Sequence, residues 1–194
     1  MSQPVMFQLT ESDQQLLLQI ARNSVQAYLA GEPPRLPEIS SAPLMEPYGI
    51  FVSLHKGHEL RGCIGNIHPG RPLYQSAAEC AIAAAVTDPR FMPLTAPELR
   101  TVEFEISVLS PIEPVQDIAE IEVGKHGLII SKGNSRGLLL PQVATMYGWD
   151  RERFLRETCT KAGLQPHDWK EGAVIHRFGA LVFSEHQFHP TTAS

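Results

Sequence analysis

The chain has only three cysteines, no long apolar run and no concentration of charge of one sign. Its 16 Lys and Arg residues against 21 Asp and Glu give a formal charge of −5. This balance argues against nucleic acid as a partner, because non-specific binding to phosphates needs a concentrated basic surface. No apolar stretch approaches the roughly 18 residues that cross a bilayer, so no membrane partner is expected.

The first ten residues also lack the cationic flank and apolar run of a secretory signal. We therefore expect a cytoplasmic protein whose three cysteines remain reduced. The sequence has no internal repeat. It also lacks the GxxxxGK[ST] pattern of a phosphate-binding loop. We expect no cofactor. The composition, 43% hydrophobic and 19% charged, is typical of a globular protein, and the length predicts one domain over residues 1–194.

The most informative segment present is Leu60-Arg61-Gly62-Cys63-Ile64-Gly65. β-Branched and aromatic neighbours predict a strand here. Two glycines in four positions are unusual in a strand, because glycine weakens it and has no side chain to pack. We infer that some other group approaches this backbone closely. Alternation along a strand places Arg61, Cys63 and Gly65 on one face, with open space expected beyond Gly65.

Two interpretations of Cys63 remain open from this spacing. A guanidinium folding back from Arg61 would lower the pKa of the thiol and make Cys63 a reactive thiolate. A free cysteine is also among the most buried residue types, so Cys63 is equally explained as a small packing residue between glycines.

The hexapeptide matches the signature of the AMMECR domain family, whose prokaryotic members are called AmmeMemoRadiSam system protein A. Gly49–Leu54 resembles the family's approach to this signature. Four further blocks resemble the family in the same order: Asp88-Pro89-Arg90-Phe91 with Pro93-Leu94, then Glu105–Ser110, Gly137–Val143, and Trp149 with Phe154-Leu155, Cys159 and Lys161–Leu164.

The resemblance implies an α+β fold with a larger and a smaller part. It implies no settled reaction. Prokaryotic relatives are discussed together with a Memo-like protein and a radical S-adenosylmethionine protein, so the resemblance implies a pathway with these partners. This chain has no CxxxCxxC motif and is not expected to be the radical component itself.

Local patterns predict the same fold class. Helices are expected over Glu11–Leu29, Leu73–Thr87 and Arg151–Ala162, the first capped by Thr10 with Asp13 and the last by Asp150. Strands are expected over Tyr48–Leu54, Leu60–Ile67, Val102–Leu109, Gly127–Ser131, Arg136–Leu140 and Ala173–Phe183. Hairpins mixed with long helices indicate an α+β fold with a mainly antiparallel sheet.

Residues 31–47 contain five prolines, which exclude an inner strand and predict an extended linker without helix. The segment is interpreted as a surface spacer, with a binding segment for partner domains as the alternative.

A second group of candidate site residues lies in the family-like blocks beyond Cys63. Glu105 and Ser107 share the polar face of their strand, and Arg90 and Arg136 are candidates to join them in one pocket. Glu105 is the candidate general base, which a thiol needs because an arginine cannot take its proton. Gln142, at a predicted helix start, is a candidate for anion binding.

The histidines nearest to Cys63 offer a weaker alternative. His55 and His58 are expected in the turn before the hexapeptide, and His68 follows it. They are the histidines nearest in sequence that could act as a base for the thiol. Together with Cys63 they could also ligate a metal, but their spacing matches no short zinc pattern, and no metal site is predicted. Solvated loop histidines are the simpler explanation.

These observations leave function hypotheses from different classes. The first is an enzyme or enzyme component that uses the Cys63 thiol on a small molecule or protein group, with Arg61 and Glu105 assisting. The alternative is a non-enzymatic adaptor whose glycine-flanked strand, with Gly62 and Gly65, is a docking surface. A role with nucleic acid ranks third because of the acidic balance.

Overall fold

The computed structural model describes residues 8–188, which form two compact units. Of these residues, the first unit contains 8–108 and 181–188, and the second contains 109–180. The helices and strands, in chain order, are α1 Glu11–Leu29, α2 Ala42–Met45, β1 Ile50–Lys56, β2 Glu59–Asn66, α3 Leu73–Val86, β3 Glu103–Leu109, β4 Glu113–Pro114, β5 His126–Lys132, β6 Ser135–Leu139, α4 Pro141–Met146, α5 Arg151–Lys161, β7 Val174–Ser184 and α6 Glu185–Phe188.

The first unit is built on an antiparallel arrangement in which β1 lies between β2 and β3. Val52 on β1 pairs with Ile64 on β2 and with Ile106 on β3, which fixes the register of all three strands. The register shifts near Leu54 and His55, so that Arg61 is an extra residue in β2. β2 has no strand partner on its other side within the described residues.

One face of these strands carries the hydrophobic core. Alternate residues of β1 and β3, from Ile50 to Leu54 and from Phe104 to Val108, are fully buried there with side chains of α1 and α3. The alanine-rich face of α3 allows its backbone to come close to β2. The opposite face of the strands is left to the polar residues of the alternating pattern.

The second unit has a hairpin of β5 and β6, with β7 pairing on the other side of β5. Its core contains Ile121, Leu128, Ile130, Ala144, Phe154, Leu155 and Cys159. Asp150 caps α5 by accepting a hydrogen bond from the Arg153 N–H at 2.8 Å. Gly163, with φ of 74°, follows the helix, and Leu164 N–H donates to the Cys159 carbonyl.

The predicted α+β class with a mainly antiparallel sheet flanked by helices and a smaller subdomain is confirmed. The bounds of α1 and the capping box of Thr10 with Asp13 are also as predicted. The turn between β1 and β2 is shorter than predicted, because Lys56 pairs with Glu59 and leaves only Gly57 and His58 between the strands. His55 therefore belongs to β1 and not to the turn.

The proline-rich segment 31–47 differs from its prediction in one place. Most of it has no regular structure, but α2 forms a single helical turn at Ala42–Met45. A proline in the first helical turn removes an N–H that has no partner there in any case, so Pro43 is compatible with this helix. Among residues 8–188, no helix is long and apolar enough to cross a bilayer.

Candidate active site

The polar face of β1, β2 and β3 brings several predicted site residues together. Ser53 on β1 pairs with Cys63 on β2 and, on its other side, with Glu105 on β3. One step along, Phe51 pairs with Gly65 and with Ser107. Since residues two apart share a face, the thiol, hydroxyl and carboxylate lie in one row across three strands.

Cys63 differs from the other two cysteines in its surroundings. Cys80 and Cys159 are buried within the hydrophobic clusters of their units, whereas Cys63 is only partly buried and belongs to neither cluster. The hydroxyl of Ser53 donates a hydrogen bond to Cys63 Sγ at 3.1 Å. The thiol therefore sits among polar groups at a partly accessible position.

The surroundings nevertheless do not lower the pKa of the thiol. Burial raises the pKa of Cys63, while the Ser53 hydrogen bond and the charge of Arg90 lower it and the carboxylates of Asp88 and Glu105 raise it. The net direction is upward, which contradicts the lowered pKa that the first of the two interpretations of Cys63 requires. Burial exceeds the effect of the nearby positive charge.

Asp88 and Arg90 hold the backbone at Cys63. The Cys63 N–H donates to Asp88 Oδ2 at 2.9 Å, and Arg90 Nη2 donates to the Cys63 carbonyl at 3.3 Å. Arg90 also binds Asp88 directly, with Nη2 to Oδ2 at 2.7 Å. These contacts cap the unpaired edge of β2 at Cys63, and the guanidinium of Arg90 holds the pKa of Asp88 well below its usual range.

Arg61 does not serve the thiol as predicted. Its Nε lies 2.7 Å from Glu98 Oε1, and its Nη2 donates to the Met92 carbonyl at 2.9 Å. The register shift in β2 accounts for this, because an extra residue in a strand redirects its side chain. Arg90, and not Arg61, is the cation that lowers the pKa of Cys63.

The two glycines of the hexapeptide are packing positions. A Cβ on Gly62 would overlap the carbonyl oxygen of Ala84 in α3, and a Cβ on Gly65 would overlap the ring of Phe51. The predicted close approach to this backbone is thus confirmed, and both approaching groups come from the chain itself. The open space expected beyond Gly65 is filled by Phe51, which corrects that prediction.

Glu105 has a partner that the sequence did not indicate. Its Oε1 lies 3.8 Å from Nε2 of His55, on the same face of the neighbouring strand. The carboxylate raises the pKa of His55, against the opposing effect of burial. His55 Nε2 is buried without a hydrogen bond, and Ser107 on this face is also buried.

The remaining predicted site residues are placed elsewhere. Arg136 is an exposed residue of β6 and Gln142 belongs to α4, so both are in the second unit and not in the polar row of the first. His58 and His68 are exposed. No group of three or more candidate metal ligands occurs among residues 8–188.

Sequence reasoning did not identify Ser53 or Asp88 as site residues, and it considered His55 only as a turn histidine. Asp88 carried a signal, since Asp-Pro-Arg stands in one of the family-like blocks, but its contact with a backbone amide 25 residues away is not visible in sequence. Ser53 carried none beyond alternation along β1, and His55 carried only its nearness in sequence to Cys63. Their importance comes from register.

Comparison with known proteins places this chain in a family. The model of the AMMECR1 family matches residues 18–183. A protein of Thermofilum pendens is 43% identical over 93% of both chains, and one of Methanothermobacter thermautotrophicus is 43% identical over 91% of this chain and 96% of its own length. The crystal structure of an uncharacterized protein, PH0010 of Pyrococcus horikoshii, is 40% identical with a TM-score of 0.82, covering 87% of this chain and 89% of that one.

Proposed function

The chain belongs to the AMMECR1 family, and we propose that it is an enzyme, or the component of an enzyme system, whose Cys63 thiol acts on a small molecule or protein group. The observation that carries the proposal is the hydrogen bond of Ser53 to Cys63 Sγ on a face that also holds Glu105 and His55. A cysteine that served packing alone would be expected in a hydrophobic cluster, as Cys80 and Cys159 are.

The polar row supplies the groups that a neutral thiol needs to react. In a displacement, Sγ forms a bond to an electrophilic carbon of the substrate, the bond from that carbon to its leaving group breaks with the electron pair going to the leaving group, and the thiol proton passes to a base. Glu105, on the other side of Ser53, is that base in this proposal, and His55 beside it shares the proton. The Ser53 hydroxyl stabilises the thiolate as it forms, because a hydrogen bond donated to the charged form favours that form.

Asp88 and Arg90 act as positioning residues. They bind the N–H and carbonyl of Cys63, so the nucleophile is held on a strand with a fixed backbone. Fixing a nucleophile in advance reduces the entropy lost when the reacting atoms meet.

The adaptor alternative receives less support from the geometry. Its docking surface was the glycine-flanked strand, but Gly62 is covered by Ala84 and Gly65 by Phe51. The partners implied by the family resemblance, a Memo-like protein and a radical S-adenosylmethionine protein, remain part of the proposal. Co-purification of either with this chain would support them.

The proposal is tested by the rate at which iodoacetamide modifies each cysteine in the folded protein, resolved by peptide mass spectrometry. Cys80 and Cys159 are internal controls because both are buried in cores. We expect Cys63 to react at least about tenfold faster than either, since reactivity follows exposure and thiolate fraction. Glu105→Gln removes a charge that raises the pKa of Cys63 and would by itself speed alkylation, so slower reaction of Cys63 in this variant identifies the carboxylate as the base.

The matched control is Glu59→Gln, which alters an exposed carboxylate on β2 itself. Reaction of Cys63 only after unfolding, as slowly as Cys80, would overturn the proposal. An unchanged or faster rate in Glu105→Gln would show that Glu105 is not the base.

A further inference from the structure

Arg90 has one side of its guanidinium engaged by the protein and one side open. Nε donates to Asp88 Oδ1 at 3.0 Å, and Nη2 donates to Asp88 Oδ2 and to the Cys63 carbonyl. Among residues 8–188, no group accepts a hydrogen bond from Nη1. A guanidinium has five N–H donors, so two of them remain on a group whose position is already fixed.

This open side is accessible and belongs to a residue that contacts the backbone of Cys63. The Arg90 side chain is 54% exposed, while the Asp88 side chain behind it is only 2% exposed. The guanidinium also lies over the ring of Phe91, with Cζ 5.4 Å from the ring centroid, which restrains it further. Burial raises the pKa of Cys63, and the charge of Arg90 acts in the opposite direction with a smaller effect.

We infer that Nη1 of Arg90 binds an anionic oxygen group of the substrate, a carboxylate or a phosphate, next to Cys63. The inference rests on the proposed function and names the class of molecule on which the thiol acts. An arginine held from behind by a carboxylate presents its remaining N–H groups in a fixed orientation, and fixed donors lose little entropy on binding.

The charges around the thiol favour Arg90 for this role. The other arginine nearby, Arg61, forms an ion pair with Glu98, and its side chain is only 14% exposed. The carboxylate of Glu105 lies on the far side of Ser53 from Cys63, toward β3, whereas Arg90 contacts β2 from its open edge. A substrate with its anionic group at the edge and its electrophile over Sγ thus avoids Glu105.

The test compares an anionic and a neutral reagent of nearly equal size. Iodoacetate and iodoacetamide both alkylate a thiolate with loss of iodide, and only iodoacetate carries a carboxylate. We expect the ratio of their rates at Cys63 to be about tenfold higher in the folded protein than in the same protein unfolded in urea. Arg90→Gln should reduce the folded ratio to the unfolded value, and Arg71→Gln, at an exposed arginine of the same unit, should leave it unchanged.

A second measurement does not depend on the thiol or on a variant that folds. Titration of the wild-type protein with sodium acetate or sodium phosphate, at constant ionic strength, should shift the NMR signal of Arg90 Nε–H. The anion that shifts it at the lower concentration identifies a carboxylate or a phosphate as the ligand group.

The outcomes separate the two proposals. Suppose that Cys63 reacts rapidly with iodoacetamide, that the ratio of the two rates is the same in the folded and unfolded protein, and that the Arg90 NMR signal does not shift. This result would overturn the anion site and support the thiol enzyme. A shift at Arg90 with an inert Cys63 would support the anion site and overturn the thiol enzyme.

Discussion

Ser53 and Cys63 face each other across β1 and β2, and the serine hydroxyl donates to the thiol at 3.1 Å. Because this hydrogen bond lowers the pKa of Cys63, Ser53→Ala should raise it further. The pH midpoint of Cys63 alkylation should move upward, with a stability loss of about 1 kcal/mol. Ser107→Ala, at a buried serine of the same face, should leave the midpoint in place. An unchanged midpoint in Ser53→Ala would show that the hydrogen bond does not act on the thiolate.

Gly62→Ala should destabilise the protein strongly. The new Cβ meets the Ala84 carbonyl, which is helix backbone and cannot turn aside as a flexible side chain can. Overpacking of this kind costs about 1–3 kcal/mol, and we expect the upper part of that range. Gly70→Ala is the matched control because a Cβ there meets nothing within 4 Å. Urea unfolding of both variants measures the difference, and equal stabilities would contradict the packing role of Gly62.

Asp88→Asn should destabilise the protein in a pH-dependent way. At pH 7 the loss of charge-assisted bonds to Arg90 and the Cys63 N–H should cost about 2 kcal/mol. Arg90 lowers the pKa of Asp88 in the folded state, so the wild-type advantage is complete above the unfolded pKa of about 3.9. It is lost as pH falls below that value toward the depressed folded pKa.

Urea unfolding of wild type and Asp88→Asn at pH 7 and near pH 3 measures this dependence. The difference in the free energy of unfolding between the two proteins should be smaller at the lower pH. Glu59→Gln, which changes an exposed carboxylate, serves as the control and should show no comparable gap. If this difference in stability does not change with pH, the ionised carboxylate of Asp88 is not its cause.

Glu105→Gln should lower the pKa of His55. Glu105 raises this pKa in the folded protein, so the pair contributes stability below the unfolded value of about 6.5 and loses it as pH rises through the folded pKa. Both side chains are about 30% exposed, which limits the contribution to about 0.5 kcal/mol. NMR titration of the imidazoles checks the shift directly.

His126 provides the internal control for that titration. Burial and the charge of Arg177 lower its pKa, and it belongs to the second unit. We expect the two histidines to titrate on opposite sides of the ordinary value, and Glu105→Gln to move His55 alone. Movement of both would indicate a general change in the fold.

Much of the fold was predictable because its signals are local. The Thr10 capping box, the apolar alternation of β3 and the glycine after α5 each act within a few residues. The α+β class and the family resemblance followed from such segments and their order. Errors fell where a local rule was applied too broadly, as with α2, where Pro43 is tolerated in a first turn.

The candidate site was predictable only in part, and the reason is register. The sequence by itself determined that Cys63 stands on a glycine-rich strand, and that Glu105 lies on the polar face of another. The tertiary structure decided that Ser53 lies between them, that Asp88 and Arg90 reach Cys63, and that Arg61 pairs with Glu98. Alternation tells which residues share a face of one strand, but the groups that meet across strands depend on pairing and on an extra residue in β2. The tertiary structure also decided the pKa of Cys63. Burial raises it more than the neighbouring cation lowers it, and burial depends on how the whole unit packs.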